Sequence, residues 1–166
     1  MRLIPFLLLI VPVLATAQSM EVRLKDPNFT VSIPDLPAFE LGMHPNASRQ
    51  PTAKLFGSSG SVSLSVLVPT AEPSTTAAQC ASWLRGSVIS RFAPDLSKLQ
   101  ILKAGENAWV LLFPLEIPPL VQLKAYVVSG NGKGQCLEVH MSRTQPTDEQ
   151  RKQWFEGFRA VTVRTE

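Results

Sequence analysis

Alternating apolar and polar positions predict that this chain is built mainly from antiparallel hairpins. Residues 61–66 alternate serine with valine or leucine, and residues 29–33 alternate in the same way, which is the period of a strand with one buried face. Turns rich in glycine separate paired runs of this kind. The predicted hairpins are 53–56 with 61–68, 99–103 with 108–113, and 121–129 with 135–143.

The third of these hairpins has an apolar face and a polar face. Pairing Val127 with Leu137, and continuing along both strands, places six apolar side chains on one side. The same register sets Tyr126 opposite Glu138 and Lys124 opposite His140. The polar side is then predicted to hold Lys124, Tyr126, Cys136, Glu138 and His140.

Two segments show helical periodicity. In residues 75–92 apolar side chains recur at spacings of three and four, behind Ser74 as a candidate N-cap. Gly86 either weakens this helix or lets it approach the sheet closely. The second helix is predicted to begin at Thr147, where Gln150 completes a capping box, and to turn Trp154, Phe158 and Val161 inward. The predicted buried stripe of the first helix is Ala77, Ala81, Leu84, Val88 and Phe92.

Together these elements predict an α+β fold in which an antiparallel sheet of three hairpins packs between two helices. The chain has 166 residues, which suits a single domain over residues 18–166. A domain of this length buries enough surface to fold without a metal ion or a disulfide.

Residues 1–17 predict a cleavable secretory signal peptide. Arg2 precedes an apolar run, and Ala15-Thr16-Ala17 supplies the small residues of a cleavage site. The run is shorter than the roughly 20 residues that span a bilayer, and no cysteine follows it for lipid attachment. We therefore expect cleavage near Ala17, a mature chain in the periplasm or outside the cell, and no stable membrane anchor.

The distribution of charge argues against a nucleic-acid partner. The formal net charge is +3, and the basic residues are scattered, with no more than two adjacent as in Arg151 and Lys152. Nucleic-acid binding favours a clustered basic stripe with stacking aromatics. We therefore expect the partner to be a protein.

Cys80 and Cys136 are the only cysteines in the sequence. An even count in a secreted chain favours a disulfide, here between the first helix and the third hairpin. The chain-entropy model assigns about 4 kcal/mol to a loop of this length. The alternative is a pair of buried, unpaired thiols.

No constellation in the sequence predicts catalysis, a cofactor or a metal ion. Cys136, Glu138 and His140 share a strand face, but a flat strand cannot close a tetrahedral site alone. The glycine-rich turn at 130–134 joins strand to strand, whereas a phosphate loop leads into a helix. We therefore predict no catalytic, cofactor-binding or metal-binding residues.

The layout resembles the PsbP-like families, which include DcrB-like bacterial envelope proteins. The resemblance is carried by residues 29–35, by the helix that contains Trp83, and by the closing segments 154–158 and 160–163. It implies an α/β/α sandwich that binds other macromolecules. It supplies no catalytic residues, and an analogy of fold does not by itself establish function.

The leading functional hypothesis is a non-enzymatic binding protein of the periplasm or cell exterior. Its most specific form is an immunity or inhibitor protein that neutralises an effector acting in the envelope. The expected interaction surfaces are the loop 40–52 and the proline-rich edge 114–119, because both combine irregular backbone with apolar side chains. The residues concerned are Leu41, Met43, Ile117 and Leu120.

Two alternatives come from other functional classes. One is a small secreted hydrolase or ligand-binding enzyme that uses Lys124, Tyr126, Glu138 and His140, which requires that face of the hairpin to be concave and open. The other is an accessory subunit of an envelope complex. Neither has a motif of its own in the sequence.

Overall fold

The computed structural model describes residues 19–26, 28–34, 36, 39–73, 75–92 and 96–165. The predicted signal peptide and the expected start of the mature chain at Gln18 lie outside these residues. The helices are α1 (Ala77–Leu84), α2 (Ser90–Phe92) and α3 (Asp148–Arg159), with a π turn at Arg85–Ile89 and a 3-10 turn at Leu96–Lys98. The strands are β1 (Ser19–Lys25), β2 (Asn28–Pro34), β3 (Gly42–Met43), β4 (Ala53–Ser59), β5 (Val62–Leu67), β6 (Thr70–Pro73), β7 (Gln100–Lys103), β8 (Ala108–Ile117), β9 (Leu120–Gly130), β10 (Lys133–Thr144) and β11 (Thr162–Thr165). None of these helices is long and apolar enough to cross a membrane.

Most strands belong to one antiparallel sheet with the order β3-β4-β5-β10-β9-β8-β7. β6 also pairs with β10, through Thr70 and Gln135, beyond the part of β10 that β5 covers. At the opposite edge, β7 pairs only with residues 109–112 of β8. The rest of β8 extends past β7 to a turn with a cis Pro118–Pro119 bond.

The pairing of β9 with β10 differs from the predicted register by two residues. Tyr126 lies opposite His140, and Lys124 lies opposite Ser142. The Asn131 side chain helps to close the turn, because it accepts hydrogen bonds from the amides of Lys133 and Gln135. A shift of two residues preserves the faces of a strand, so the predicted division into an apolar and a polar face is correct.

A smaller sheet with the order β1-β2-β11 packs over the apolar face of the larger one. Its buried side chains, including Phe29, Val31 and Ile33, join α3 and the inner residues of β5, β9 and β10 in one hydrophobic cluster. The opposite face of the larger sheet carries a second cluster, in which Cys80, Leu84 and Ile89 cover Leu111 and Tyr126.

The predicted arrangement of three hairpins between two helices is therefore wrong. One side of the larger sheet is covered by a second sheet together with α3, and the other side by α1 and the π turn. The prediction missed β1, β3, β6 and β11. Each of these strands is at an edge or pairs with a partner distant in sequence, so local periodicity carries little information about it.

The first predicted helix is interrupted where its apolar stripe changes phase. Ala77, Ala81 and Leu84 are buried as predicted, but the N-cap is Thr76, whose side chain and that of Gln79 form a capping box. The π turn then adds a residue to the repeat, and Ile89 becomes fully buried. The side chains of Val88 and Phe92, the rest of the predicted stripe, lie outside the described part.

The C-terminal helix follows the prediction closely. Thr147 is its N-cap, and the Thr147 and Gln150 side chains complete the capping box. Trp154 and Phe158 are buried with their ring centroids 4.9 Å apart. The Arg143 guanidinium lies 5.6 Å from the Trp154 ring centroid, which attaches α3 to β10.

Gly130 allows the start of α1 to contact the end of β9. A Cβ atom added there would lie 2.7 Å from the Thr75 carbonyl oxygen and 3.0 Å from the Thr76 carbonyl carbon. Both neighbours are backbone atoms, so neither can move away by a side-chain rotation. Gly86 has no atom within 4 Å of the corresponding position, so its predicted role in close approach is wrong.

We expect Gly130→Ala to lower the free energy of unfolding by about 1–3 kcal/mol, because the added methyl overpacks a backbone contact. The matched control is Gly86→Ala, which adds the same methyl in open space and should leave stability unchanged or raise it. Urea unfolding of both variants measures the difference. Equal unfolding midpoints for Gly130→Ala and the wild type would contradict this account of the contact.

Candidate functional site

A disulfide joins α1 to the larger sheet. The sulfur atoms of Cys80 and Cys136 lie 1.99 Å apart, with their Cα atoms separated by 5.8 Å. The exposed fractions of these residues are 1% and 4%, so the bond is shielded from solvent. This geometry agrees with the predicted pairing.

A cleft of about 430 Å³ opens beside this disulfide. One wall is formed by α1 and the residue before its cap, and the other by Pro69 and the strand β6. Clefts of this size, lined mainly by apolar groups with a few polar ones, are typical ligand and side-chain binding sites. The residues that define its walls and floor are Pro69, Ala71, Glu72, Gln79, Trp83 and the cysteine pair.

Trp83 is the largest side chain in the cleft, and 49% of it is exposed. Its position follows from the helical repeat, because it is three residues after Cys80 and lies to one side of the buried stripe. Sequence analysis placed Trp83 beside the stripe but did not identify the cleft. The opposite wall depends on β6 pairing with β10, and no local pattern reveals that contact.

A smaller groove of about 200 Å³ lies on the other side of α1. It is lined by Ala81 and Arg85 from the helical segment and by Ile101, Trp109 and Leu111 from the sheet. Ile101 is 42% exposed. Helix α1 therefore lies between two grooves, of which the one beside the disulfide is the larger.

The predicted polar face of the third hairpin is mostly buried beneath the helical segment. The rings of Tyr126 and His140 stack with their centroids 4.2 Å apart, and Phe113 stacks on Tyr126 at 6.0 Å. Tyr126 and Glu138 are each only 6% exposed. The enzyme hypothesis requires this face to be open, and around these two side chains it is closed.

Two buried polar atoms in this region have no hydrogen-bond partner within the described part of the chain: Oε1 of Glu138 and Nε2 of His140. Burial raises the pKa of Glu138 to about 7. Burial, and then the positive charge of Lys124, lower the pKa of His140 to about 3. Both side chains are therefore held in their neutral forms under mildly acidic conditions.

The predicted interaction residues divide between two separate places. Met43, 80% exposed, is on edge strand β3, whereas Ile117, 56% exposed, pairs with Leu120 at the tip of the β8–β9 hairpin. Three strands separate β3 from β9, a span of about 19 Å at the usual strand spacing. Leu41 is partly buried against the core. These side chains do not form one continuous patch.

Within the described residues, no group of three or more histidine, cysteine, aspartate or glutamate side chains is arranged to hold a metal ion. The partial set on β10 has lost its sulfur ligand, because Cys136 is bonded to Cys80. His44 lies elsewhere, with its ring centroid 5.8 Å from that of Phe56.

Between pH 4.5 and 6.5, the effects of Glu138 and His140 on the pH dependence of stability cancel. In this range unfolded Glu138, with its ordinary pKa of 4.5, has lost its proton, while the folded carboxyl keeps it until about pH 7. Unfolded His140, with its ordinary pKa of 6.5, is protonated in this range, whereas the folded imidazole stays neutral down to about pH 3. Each state binds one proton through this pair, so the pair contributes no net pH dependence.

Replacing either Glu138 or His140 should therefore reveal the effect of the other residue on the pH dependence of stability. We expect the stability of Glu138→Gln to rise with pH across this range, relative to the wild type, because only the histidine contribution is left. We expect that of His140→Phe to fall with pH, because only the raised carboxyl pKa is left. Each relative slope should approach about 1.4 kcal/mol per pH unit. Urea unfolding at several pH values measures both, and profiles parallel to the wild type would contradict the burial of these groups.

Replacing both cysteines should show how strongly the disulfide stabilises the fold. Its sequence separation is 56, so the chain-entropy model predicts a loss of up to about 4 kcal/mol in Cys80→Ala/Cys136→Ala. Urea unfolding with and without a thiol reductant provides the control, because reductant should weaken only the wild type. Two alkylatable thiols in unfolded wild-type protein prepared without reductant would show that the bond does not form.

No protein-family model matches this chain, and a search of curated proteins gives no significant match. The resemblance to PsbP-like and DcrB-like proteins therefore stays a prediction.

Proposed function

We propose that this chain is a non-enzymatic protein-binding module and that the cleft beside the disulfide is its recognition site. The observation that carries the proposal is the half-exposed Trp83 in the wall of a largely apolar cleft of about 430 Å³. Interface residues that contribute most to affinity are enriched in tryptophan and cluster around pockets that a partner side chain fills.

The elements around the cleft support recognition without rearrangement. Two contacts fix α1 to the sheet, the backbone contact at Gly130 and the disulfide, and the Thr76–Gln79 capping box stabilises its first turn. A cleft whose walls are fixed before binding loses little conformational entropy when a partner arrives. This rigidity suits an inhibitor or immunity protein.

The proposed setting is the periplasm or the cell exterior, where a disulfide persists. In its most specific form, the proposal is that the chain neutralises a protein effector acting in the envelope. Catalysis is not part of it, because the one polar cluster considered for chemistry has its Tyr126 and Glu138 buried.

Affinity capture from an envelope extract tests the proposal with two variants. Trp83→Glu places a charge in the cleft wall, and Ile117→Ser removes a comparably exposed apolar side chain at the distant β8–β9 tip. We expect a stoichiometric protein partner to be retained by the wild type and by Ile117→Ser and to be lost with Trp83→Glu.

Other outcomes of this capture would contradict the proposal. Loss of the partner only with Ile117→Ser would move the interface to the hairpin tip and refute the cleft. Absence of any stoichiometric partner across several extraction conditions would refute the binding function. Circular dichroism of both variants verifies that each one is folded.

A further inference from the structure

The charge of the cleft is negative. Glu72 is the one charged residue among the side chains that line it, and that residue is exposed. Within the described residues, its carboxylate takes part in none of the ion pairs, which join Glu21, Glu116 and Asp148 to basic side chains. The cleft therefore presents an acidic group that forms no ion pair with a basic side chain of the described residues.

A second carboxyl group lies next to the floor of the cleft. Glu138 is the next residue after Cys136 on the same face of β10, about 7 Å farther along the strand. It is 6% exposed, and its Oε1 atom is buried without a hydrogen-bond partner. A buried oxygen of this kind is costly to leave unpaired and gains from a donor that reaches it.

Trp83 adds an attraction for positive charge. Its exposed ring lies in the same wall as the polar Gln79, and the face of an indole is the strongest aromatic partner for a cation. A guanidinium group can also stack flat on such a ring, which an ammonium cannot do. The remaining lining, including Pro69, Ala71 and the disulfide, suits the aliphatic stem of a long basic side chain.

We propose that the cleft takes an arginine side chain from a basic segment of the protein partner. This inference rests on the function proposed above and gives the chemistry of the partner. The aliphatic stem lies along Pro69 and the disulfide, the guanidinium stacks on Trp83, and its N–H groups donate to Glu72. Glu138, next to the floor along β10, adds negative potential only above about pH 7, where its buried carboxyl loses its proton.

The rival occupant is an anion at the N-terminus of α1, which borders the same cleft through Thr75 and Gln79. A helix start attracts anions through its free amides. Here the amide of Thr76 donates to the Gln79 side chain, and the amide of Gln79 donates to the Thr76 hydroxyl. The capping box therefore occupies part of that anion site, whereas the carboxylate of Glu72 is available.

Three blocked peptides of identical sequence, except for a central arginine, citrulline or glutamate, test this inference. The readout is the Trp83 indole N–H resonance, assigned by its absence in Trp83→Phe. We expect the arginine peptide to bind at least about fivefold more tightly than the citrulline peptide, and its affinity to fall with added salt. Equal binding of the two peptides, or a preference for glutamate, would overturn the inference.

Charge variants localise the effect. Glu72→Gln should weaken binding of the arginine peptide and leave the fold intact, because the residue is exposed. Glu138→Gln should weaken it further only above about pH 7, where the carboxyl of Glu138 has lost its proton. Glu149→Gln changes a carboxylate on α3, which packs against the other face of the sheet, and should have no effect.

The outcome also separates this inference from the function on which it rests. If a captured partner requires Trp83 but binds equally to Glu72→Gln and resists salt, then the arginine inference is wrong and the protein-binding function stands. If a partner is captured but does not require Trp83, then the cleft is not the recognition site and the arginine inference falls with it; if no partner is captured, the protein-binding function itself is wrong. Weaker capture of the partner by Glu72→Gln would support both the protein-binding function and the arginine inference.

Discussion

The pairing of β9 with β10 is the constraint on which the rest of the structure depends. These two long strands form the middle of the larger sheet, and their register determines which side chains enter each of the two cores. Alternation along β10 gives Val139 and Met141 to one core and Cys136 to the other. The disulfide, the buried Glu138 and the floor of the cleft all follow from that alternation.

The helical segment over this strand pair has little freedom. At its start, the backbone contact at Gly130 fixes its height above the sheet, and one turn later the disulfide attaches it to β10. The capping box stabilises its first turn. At its end, the π turn brings Ile89 back to the core. The cleft lies between α1 and β6, which are each attached to β10 and are joined to each other at one end, where the Thr75 amide donates to the Glu72 carbonyl oxygen. Its width is set by covalent and backbone contacts rather than by a flexible loop.

Sequence patterns predicted what depends on near neighbours. The three hairpins, the faces of their strands and the capping box of α3 follow from periods of two and from spacings of three residues. The faces remained correct although the register was wrong, because the error was two residues. The register itself depended on how the Asn131 side chain closes the turn, and no apolar pattern encodes that hydrogen bonding.

The features that sequence did not predict depend on distant contacts. β6 pairs with residues at least sixty positions farther along the chain, and this pairing forms one wall of the cleft. β1 needed its pairing with β2 and a second layer to pack against. Helical periodicity places Trp83 on α1, but the exposure of its side chain depends on the positions of both walls of the cleft. The sequence therefore predicts the cysteine pair of the candidate site, but it does not predict the cleft beside it.

The unequal lengths of β7 and β8 have a consequence for self-association. Because β7 stops short, the outer edge of residues 113–117 has no neighbouring strand among the described residues. Open edges of this kind invite a second chain to add a strand. Here Pro114 lacks the amide hydrogen that such pairing needs, and the ion pair between Lys98 and Glu116 places charge along the same edge. The chain can thus extend a long hairpin toward solvent without offering a template for aggregation.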